Sequence, residues 1–441
     1  MDSLESKKVV EESFKSTFVG LHKFQKDILL AASNGNLQHL KELISGLVED
    51  GKNVGEILSK IIDRDGQTVL HIVASEGNLQ LCKYLVEDLN LDLRLKTTDG
   101  KTPLILASLG GHMGTALYLL DQGANPNTTD DAGFTPLHYV AERGDNQLLE
   151  LLLLRGSEVN IVSSLGTPLQ RAAGAGKHEA LQTLLNHNAD PNLYYHSALT
   201  PLAASIIAES FCCTELLLKA GAEVDTGSCG RVPILLAASE GLTNTLKLLV
   251  EFGANADVVD DVGLKAIEIA ALKGNRQDVE ILLSNSQQIP TYLDWTVDGI
   301  IKHIDSEEAK EQIEVKTEQS FKEAKLKGEE AFSRNDYLAA ILWYSKAISA
   351  NSSDKFLLSK RSLCWALTRE GDKALDDARK CLESDPEWAE AHYREGVAWS
   401  TLKKYDRAVA AFRQGIDLDP NDKELKVAFQ RACEADLADA I

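Results

Sequence analysis

The amino-acid sequence predicts an all-α fold built from two α-solenoids, in which short helical repeats stack one after another. Two internal periods lead to this fold class, one of about 33 residues and a later one of 34, in a chain of 441 residues. A third observation is that 44% of the residues are apolar, which is enough for a continuous core. Because each repeat packs mainly on its neighbours, this length does not require two or three globular cores.

Composition and charge exclude several classes of partner. The chain carries 67 acidic and 46 basic residues, a net charge of −21, which disfavours nucleic acid and anionic membranes. No apolar stretch approaches about 18 residues, and the N-terminal residues contain no apolar signal core. The seven cysteines include no CxxC pair, which favours a reducing compartment over disulfides or zinc. We therefore expect a soluble intracellular protein, cytoplasmic with the nucleus as the alternative, and no membrane insertion.

The first period begins each repeat with a turn and a helix start. The clearest examples are DGQTVLHIVA from Asp65, DGKTPLILA from Asp99 and DAGFTPLHYVA from Asp131. Proline suits the first helical turn because its missing N–H would have no partner there. The threonine position recurs at intervals of 32 to 34 residues, at Thr68, Thr102, Thr135, Thr167, Thr200, Val232 and Lys265.

Glycines at fixed offsets predict where the two helices of each repeat end. Only glycine adopts a left-handed helix end at little cost, so it marks such breaks. The first break comes nine residues after the threonine position, at Gly77, Gly111, Gly144, Gly176, Glu209, Gly241 and Gly274. The second comes 21 residues after the middle five, at Gly123, Gly156, Asn188, Gly221 and Gly253.

This unit of turn, helix, break, second helix and loop resembles the ankyrin repeat, whose signature is T-P-L-H-x-A. Seven consecutive units match, and a degenerate eighth precedes them in KDILLAASNGNLQHLKELI. Its Gly35 lies 42 residues before Gly77, so about nine extra residues around 46–62 are expected to form an enlarged loop or an added turn. The predicted ankyrin array spans 23–284, after an N-terminal extension of residues 1–22.

The second period is constant at 34 residues. Four position sets keep this step: Gly328, Ser362 and Gly396; Ala340, Ala374 and Ala408; Tyr344, Ala378 and Phe412; Ser352, Pro386 and Pro420. The order of small residue, alanine, aromatic and closing proline resembles the tetratricopeptide repeat (TPR), here three units over 318–420. Residues 421–441 are predicted to form a solvating cap helix, with Leu425, Phe429, Ala432 and Cys433 on its apolar face.

Residues 285–317 are predicted to form a helical linker between the arrays. Trp295, Ile300, Ile301 and Ile304 suggest a short docked helix. From Ser306 the sequence is highly charged and has no helix breaker before Gly328, so the connection is either a lever or a flexible tether.

A search for catalytic groups gives none, and we expect no enzyme, no metal and no cofactor. His71 and His138 occupy the fourth position of the T-P-L-H motif, where histidine braces neighbouring turns. The adjacent Cys212 and Cys213 lie in an apolar stretch and are expected to be buried. The pairs Asp130–Asp131 and Asp260–Asp261 are expected to be solvated turn and capping residues. The remote alternative is an enzyme site in residues 284–316, where His303 is the only histidine.

One subset of TPR domains carries a carboxylate clamp for the acidic C-terminal tails of the heat-shock seventy and ninety chaperones. Its pattern is Lys and Asn four apart, a second Asn, then Lys and Arg four apart. In this sequence Lys325 and Arg394 match, whereas Glu329, Lys360 and Glu390 depart from the pattern. The resemblance therefore implies a modified clamp.

Lysine and arginine side chains donate charge-assisted hydrogen bonds to carboxylates, so we predict that an acidic peptide binds to Lys322, Lys325, Lys360 and Arg394. Glu390 could pair with Arg394 four residues later, or with Lys360 on the neighbouring helix. The alternative to a modified clamp is an ordinary solvated helix face.

The combination of both repeats resembles the plant ankyrin–TPR family, through LKGEEAF from Leu326, KRSLCWA from Lys360 and HYREGVAW from His392. It implies a non-enzymatic, co-chaperone-like adaptor whose ankyrin face binds a protein client and whose TPR groove binds a second partner. The alternative is an ankyrin scaffold whose TPR array mediates other protein association. Residues 1–300 carry 23 basic and 39 acidic residues, so the ankyrin client should be basic or neutral.

Overall fold

The computed structural model describes residues 23–48, 54–63, 65–164, 166–194, 199–227, 232–350 and 354–439, and the predicted extension of residues 1–22 lies outside them. Over the described residues the chain forms 25 α-helices, one short π-helix and isolated β-bridges, without a β-strand. The predicted all-α class is therefore confirmed. None of the described helices has both the length and the apolar character needed to span a membrane.

The chain divides into two compact units, Met1–Pro201 with Asp439–Ile441, and Leu202–Ala438. The division falls within the first repeat array, so the domain limits given above remain predictions.

In the first unit, pairs of short helices follow the predicted repeats. They are α1 (Lys23–Ser33), α2 (Leu37–Val48), α3 (Val54–Lys60), α4 (Val69–Ser75), α5 (Leu79–Lys83), a π-helix (Tyr84–Asp88), α6 (Pro103–Gly110), α7 (Met113–Asp121), α8 (Pro136–Arg143), α9 (Asn146–Leu154), α10 (Pro168–Gly174) and α11 (His178–Asn186). Thr102 shows why these helices begin where they do: its Oγ1 accepts the amide of Ile105, and Pro103 holds the first helical position. Helix α3 lies in the predicted enlarged loop, which therefore contains an added turn of helix.

The predicted helix ends adopt the left-handed conformation. All seven positions of the first break have positive φ, from 52° at Glu209 to 77° at Gly144. The second break behaves alike, with Gly123 at 89° and Asn188 at 63°. Glu209 is the one position in the two sets that is neither glycine nor asparagine. Its left-handed conformation therefore involves steric strain that glycine avoids.

In the second unit, short helices are followed by longer ones. They are α12 (Pro201–Ile207), α13 (Phe211–Lys219), α14 (Pro233–Glu240), α15 (Thr243–Glu251), α16 (Ala266–Leu272), α17 (Arg276–Leu283), α18 (Val297–Ile304), α19 (Glu307–Ser333), α20 (Tyr337–Ala350), α21 (Lys355–Leu367), α22 (Gly371–Ser384), α23 (Ala389–Thr401), α24 (Tyr405–Leu418) and α25 (Lys423–Asp439). Helix α18 packs on α16 and α17, with Ile300 and Ile304 buried, which confirms the docked helix in the linker.

The helix α19 runs without a break from the predicted linker into the first TPR unit, and Ser306 caps its N-terminus. Its Gly328 packs directly against the ring of Tyr344, and Gly396 packs in the same way against Phe412. In both pairs a small residue on one helix leaves room for an aromatic ring on the next helix. Helix α25 buries Leu425 and Ala432 of its predicted apolar face, and Phe429 and Cys433 are half-buried.

Candidate peptide-binding groove

The motif histidines are structural. The backbone N–H of Thr135 donates to Nδ1 of His138 over 3.0 Å, and the Nε2 atom lies 3.1 Å from the carbonyl oxygen of Gly166 in the next repeat. His71 makes the equivalent contacts with Thr68 and with two carbonyl oxygens, those of Leu95 and Lys101. Burial lowers the pKa of each histidine to about 4. Both rings are therefore neutral braces between repeats, as the motif predicts.

The acidic turn residues follow their prediction only in part. Oδ1 of Asp130 accepts the amides of Ala132 and Phe134, and Asp260 accepts two amides in the same way. The turn and capping function is therefore confirmed. The expected solvation is wrong for Asp130, whose second oxygen accepts the hydroxyl of Tyr139 and which is buried.

The expectation that both adjacent cysteines are buried is correct for only one of them. Cys213 is buried, whereas Cys212 is exposed. Neighbouring residues of a helix point about 100° apart, so the first turn of α13 turns one cysteine inward and the other outward. Among the described residues no group of three or more His, Cys, Asp or Glu side chains is placed to hold a metal ion.

The predicted clamp residues lie on the first helices of the three TPR units. Helix α19 carries Lys325 and Glu329, α21 carries Lys360, and α23 carries Glu390 and Arg394. Helix α21 packs against α23, and an ion pair joins α19 to α21, so these residues border one face. We call this face, with the first turn of α25, the TPR groove.

The half of the groove formed by α19 and α21 contains one ion pair and one lysine that does not belong to this pair. Nζ of Lys360 lies 2.6 Å from Oε1 of Glu329, and both side chains are about two-fifths exposed. The ammonium group of Lys325 lies 5.9 Å from the ring centroid of Phe321. Over the described part of the chain Lys325 has no carboxylate partner within ion-pair distance. It can therefore bind a ligand carboxylate without first breaking an ion pair.

In the half of the groove formed by α23, Arg394 already contacts several neighbouring side chains. The guanidinium of Arg394 lies 2.5 Å from Oε1 of Glu390, donates from Nε to Ser359 over 3.1 Å, and lies over the ring of Tyr393. Only 12% of the Arg394 side chain is exposed. Of the two pairings left open above, Glu390 therefore pairs with Arg394 and Lys360 pairs with Glu329.

The remaining predicted residue, Lys322, has other neighbours. Its ammonium group lies 2.7 Å from Glu318 in an exposed pair one turn away. With Phe321 and Leu272 it borders a cavity of about 630 Å³ whose lining contains none of the other three predicted cations. Lys325, Lys360 and Arg394 thus lie on three different helices that border the groove, whereas Lys322 borders that cavity.

Sequence reasoning missed the acidic end of the groove. Leu425 and Ala389 both lie against Gly415, which places the first turn of α25 beside the first turn of α23. Burial raises the pKa of Glu390, and the neighbouring carboxylates of Asp422 and Glu424 raise it further against the opposing effect of Arg394. Burial also raises the pKa of Tyr393, and the carboxylates of Asp422 and Glu424 raise it further. Asp422 could have been found from the sequence, as an N-cap aspartate before a helix with one apolar face. Its nearness to Glu390 could not.

The fold and groove define a helical-repeat protein with two kinds of repeat. The family model described as ankyrin repeats (3 copies) matches residues 28–130, 122–195, 137–228 and 202–292, more than half of the chain. The chain therefore belongs to the ankyrin repeat family. The tetratricopeptide repeat model matches residues 389–422, which include Glu390 and Arg394. Both repeat types predicted from the sequence are confirmed.

Curated relatives match parts of the chain. The Hsp70-Hsp90 organizing protein of Triticum aestivum is 27% identical over 221 residues, which are 44% of this chain and 37% of that protein. The heat shock protein sti1 homolog of Schizosaccharomyces pombe is 39% identical over 103 residues, covering 23% of this chain and 17% of that protein. The human transient receptor potential cation channel subfamily A member 1 is 29% identical over 203 residues, 43% of this chain and 18% of the channel. The chain thus spans less than two-fifths of the length of these relatives.

Proposed function

We propose that this protein is a non-enzymatic adaptor for protein–protein interaction. Its ankyrin array binds one protein client, and its TPR groove binds an acidic peptide of the kind found at the C-terminus of heat-shock chaperones. The observation that carries the proposal is the row of Lys325, Lys360 and Arg394 on three neighbouring helices. The similarity to the Triticum aestivum protein named Hsp70-Hsp90 organizing protein supports the same choice of partner.

The ion pairs in the groove set the expected strength of binding. To engage Lys360, a ligand carboxylate must compete with Glu329, and an exposed pair of this kind stabilises by only about 0–1 kcal/mol. A hydrogen bond from a charged donor to the ligand stabilises by about 1.5–3 kcal/mol. Competition by Glu329 therefore weakens binding without preventing it. Arg394 is less available, because Ser359 and Glu390 both hold its guanidinium.

The ankyrin array carries most of the negative charge of the chain. Residues 1–300 have a net charge of −16, whereas residues 301–441 have −5. An acidic surface attracts basic partners and repels acidic ones. The client of the ankyrin array is accordingly a protein with a basic or neutral surface, distinct from the acidic peptide of the groove.

Calorimetry with the full chain and a peptide that ends in Glu-Glu-Val-Asp tests the groove. We expect binding in the micromolar range and a loss of about tenfold on Lys325→Ala, which corresponds to about 1.4 kcal/mol. Glu329→Asn should strengthen binding, because it removes the competitor for Lys360 and places asparagine where the clamp pattern has it. Arg394→Ala should weaken binding as well.

Lys380→Ala is the matched control, since Lys380 lies on α22 in an exposed pair with Asp376 and none of the groove contacts involves it. Circular dichroism of each variant checks folding. Absence of heat at high micromolar peptide, with no response to Lys325→Ala or Arg394→Ala, would overturn the proposal and favour the scaffold without chaperone binding.

A further inference from the structure

The charges of the TPR groove are not evenly distributed. Towards α19 and α21, Lys360 pairs with Glu329, whereas Lys325 lies over the ring of Phe321 and has no ion-pair partner among the described residues. Towards α23 and α25 the sign reverses, because Arg394 stands among several carboxylates. The members of that acidic end are Glu390, Asp422 and Glu424.

The geometry of α25 explains why Glu424 belongs to this end. Leu425 is buried against Gly415 and points into the core that it shares with α23. Residues before and after Leu425 project about 100° to either side of it, so Glu424 and Lys426 lie on opposite flanks of the helix. Leu425 and Ala389 both lie against Gly415, so the first turn of α25, which carries Glu424, lies beside the first turn of α23. Burial raises the pKa of Glu390, and the nearby carboxylate of Glu424 contributes to the same increase.

One arginine cannot neutralise three carboxylates. Oε1 of Glu390 already pairs with Arg394, and Oδ1 of Asp422 accepts the amides of Glu424 and Leu425 as the helix cap. Glu424 is exposed and, among the described residues, has no ion-pair partner. This end is thus a place where a cationic side chain of a ligand gains a partner and an additional acidic side chain is repelled.

We propose that the groove selects a peptide with an ordered charge pattern, in which an acidic C-terminal end lies at α19 and α21 and a lysine or arginine further upstream lies at α23 and α25. The inference rests on the function proposed above and names the sequence character of its ligand. Neighbouring helices lie about 8–10 Å apart, so the span from α21 to α25 is about 16–20 Å. An extended peptide covers that span with about five to six residues.

Two peptides of equal composition test the order of charges. The first, Lys-Lys-Gly-Ser-Gly-Glu-Glu-Val-Asp, has its lysines upstream, and the second, Glu-Glu-Gly-Ser-Gly-Lys-Lys-Val-Asp, reverses the blocks but keeps the terminal Val-Asp. Each is titrated into the full chain by calorimetry at about 0.05 M and 0.5 M NaCl. We expect the first peptide to bind three- to tenfold more tightly, and the ratio to shrink at high salt, where exposed charges are screened.

Glu424→Gln should bring the ratio of the two affinities close to one, mainly because the first peptide then binds less tightly. It leaves the capping aspartate in place and thus the helix start intact. Glu383→Gln is the matched control: it is an exposed glutamate of α22 outside the groove, and it should leave the ratio unchanged.

The outcomes separate this inference from the function on which it rests. Equal binding of both peptides, unaffected by Glu424→Gln, would overturn the inference, while binding of the Glu-Glu-Val-Asp peptide would leave the adaptor proposal standing. Tighter binding of the second peptide would also overturn it. Failure of every acidic peptide to bind would overturn both.

Discussion

Replacing His138 by glutamine should remove one source of acid sensitivity without removing its hydrogen bonds. The next repeat already carries glutamine at this position: the Thr167 amide donates to Oε1 of Gln170, and Nε2 of Gln170 donates to the carbonyl of Leu199. Glutamine thus accepts and donates where the neutral imidazole does, but it does not titrate. At neutral pH we expect His138→Gln to change the free energy of unfolding by no more than about 1 kcal/mol.

The size of the acid effect follows from the pKa of His138. In the folded protein burial lowers this pKa to about 4, and in the unfolded chain it is near the ordinary 6.5. Above pH 6.5 the ring is neutral in both states, so it adds no pH dependence. As the pH falls from 6.5 to 4, the unfolded chain binds a proton that the folded protein does not, and stability is lost. The loss from this one histidine is about 2 kcal/mol at pH 5 and about 3 kcal/mol below pH 4.

Hydrogen exchange of the α8 amides is the local measurement. Wild type and His138→Gln are compared at pH 7.5 and again at pH 5.0, so that the intrinsic exchange rate at each pH cancels between them. On moving to pH 5.0 the wild type should lose about thirtyfold more protection than the variant, which is the ratio that about 2 kcal/mol produces. The reciprocal variant Gln170→His should gain an acid sensitivity of similar size in α10.

Equal pH responses of wild type and His138→Gln would refute the reasoning, because they would mean that the imidazole titrates alike in the folded and unfolded states. His71 has the same lowered pKa and remains in both proteins, so its contribution cancels in the comparison.

Three further substitutions have directions set by the structure. Glu209→Gly should stabilise by about 1 kcal/mol, because φ is 52° there and glycine adopts the left-handed region without strain; thermal unfolding measures it. Gly396→Ala should destabilise by about 1–3 kcal/mol, since a methyl group would overlap the buried ring of Phe412, and urea unfolding followed by tryptophan fluorescence measures that. Asp261→Asn should cost about 1 kcal/mol by breaking the partly buried pair with Lys346, whose atoms lie 2.9 Å apart, and should raise hydrogen exchange in α20.

A second glycine controls for the general effect of adding a methyl group. Gly114 lies in α7, and a methyl group there would meet its nearest neighbour at 3.9 Å. Gly114→Ala should therefore stabilise by about 0.5–1 kcal/mol, the usual gain of alanine in a helix. Destabilisation at both glycines would contradict the packing argument for Gly396. A decrease in stability on Glu209→Gly would likewise contradict the strain argument.

The repeats, their helices and their ends could be predicted from the sequence because they depend on local spacing. A threonine before a helix, a proline at its first position and a glycine after it act within one turn of the chain. The same logic identified the bracing histidines and the 34-residue spacing of the small residues Gly328 and Gly396. Helix propensity and capping require no knowledge of distant residues.

The groove could be predicted only to the level of which helices carry its charges. The resemblance to the carboxylate clamp pointed to Lys325 and Arg394, but whether Glu390 pairs with Arg394 or with Lys360 depends on side-chain positions across helices. The position of Lys322 beside Leu272 and the acidic contribution of Glu424 had no signal in the sequence, since residues far apart in the chain create them.

The sequence by itself thus determined what kind of protein this is, because repeat identity is a matter of short-range chemistry repeated at a fixed period. The tertiary structure decided which charged groups of the groove are already paired and which can meet a ligand. Coulomb energies depend on distance and burial, and those are fixed only when the helices pack.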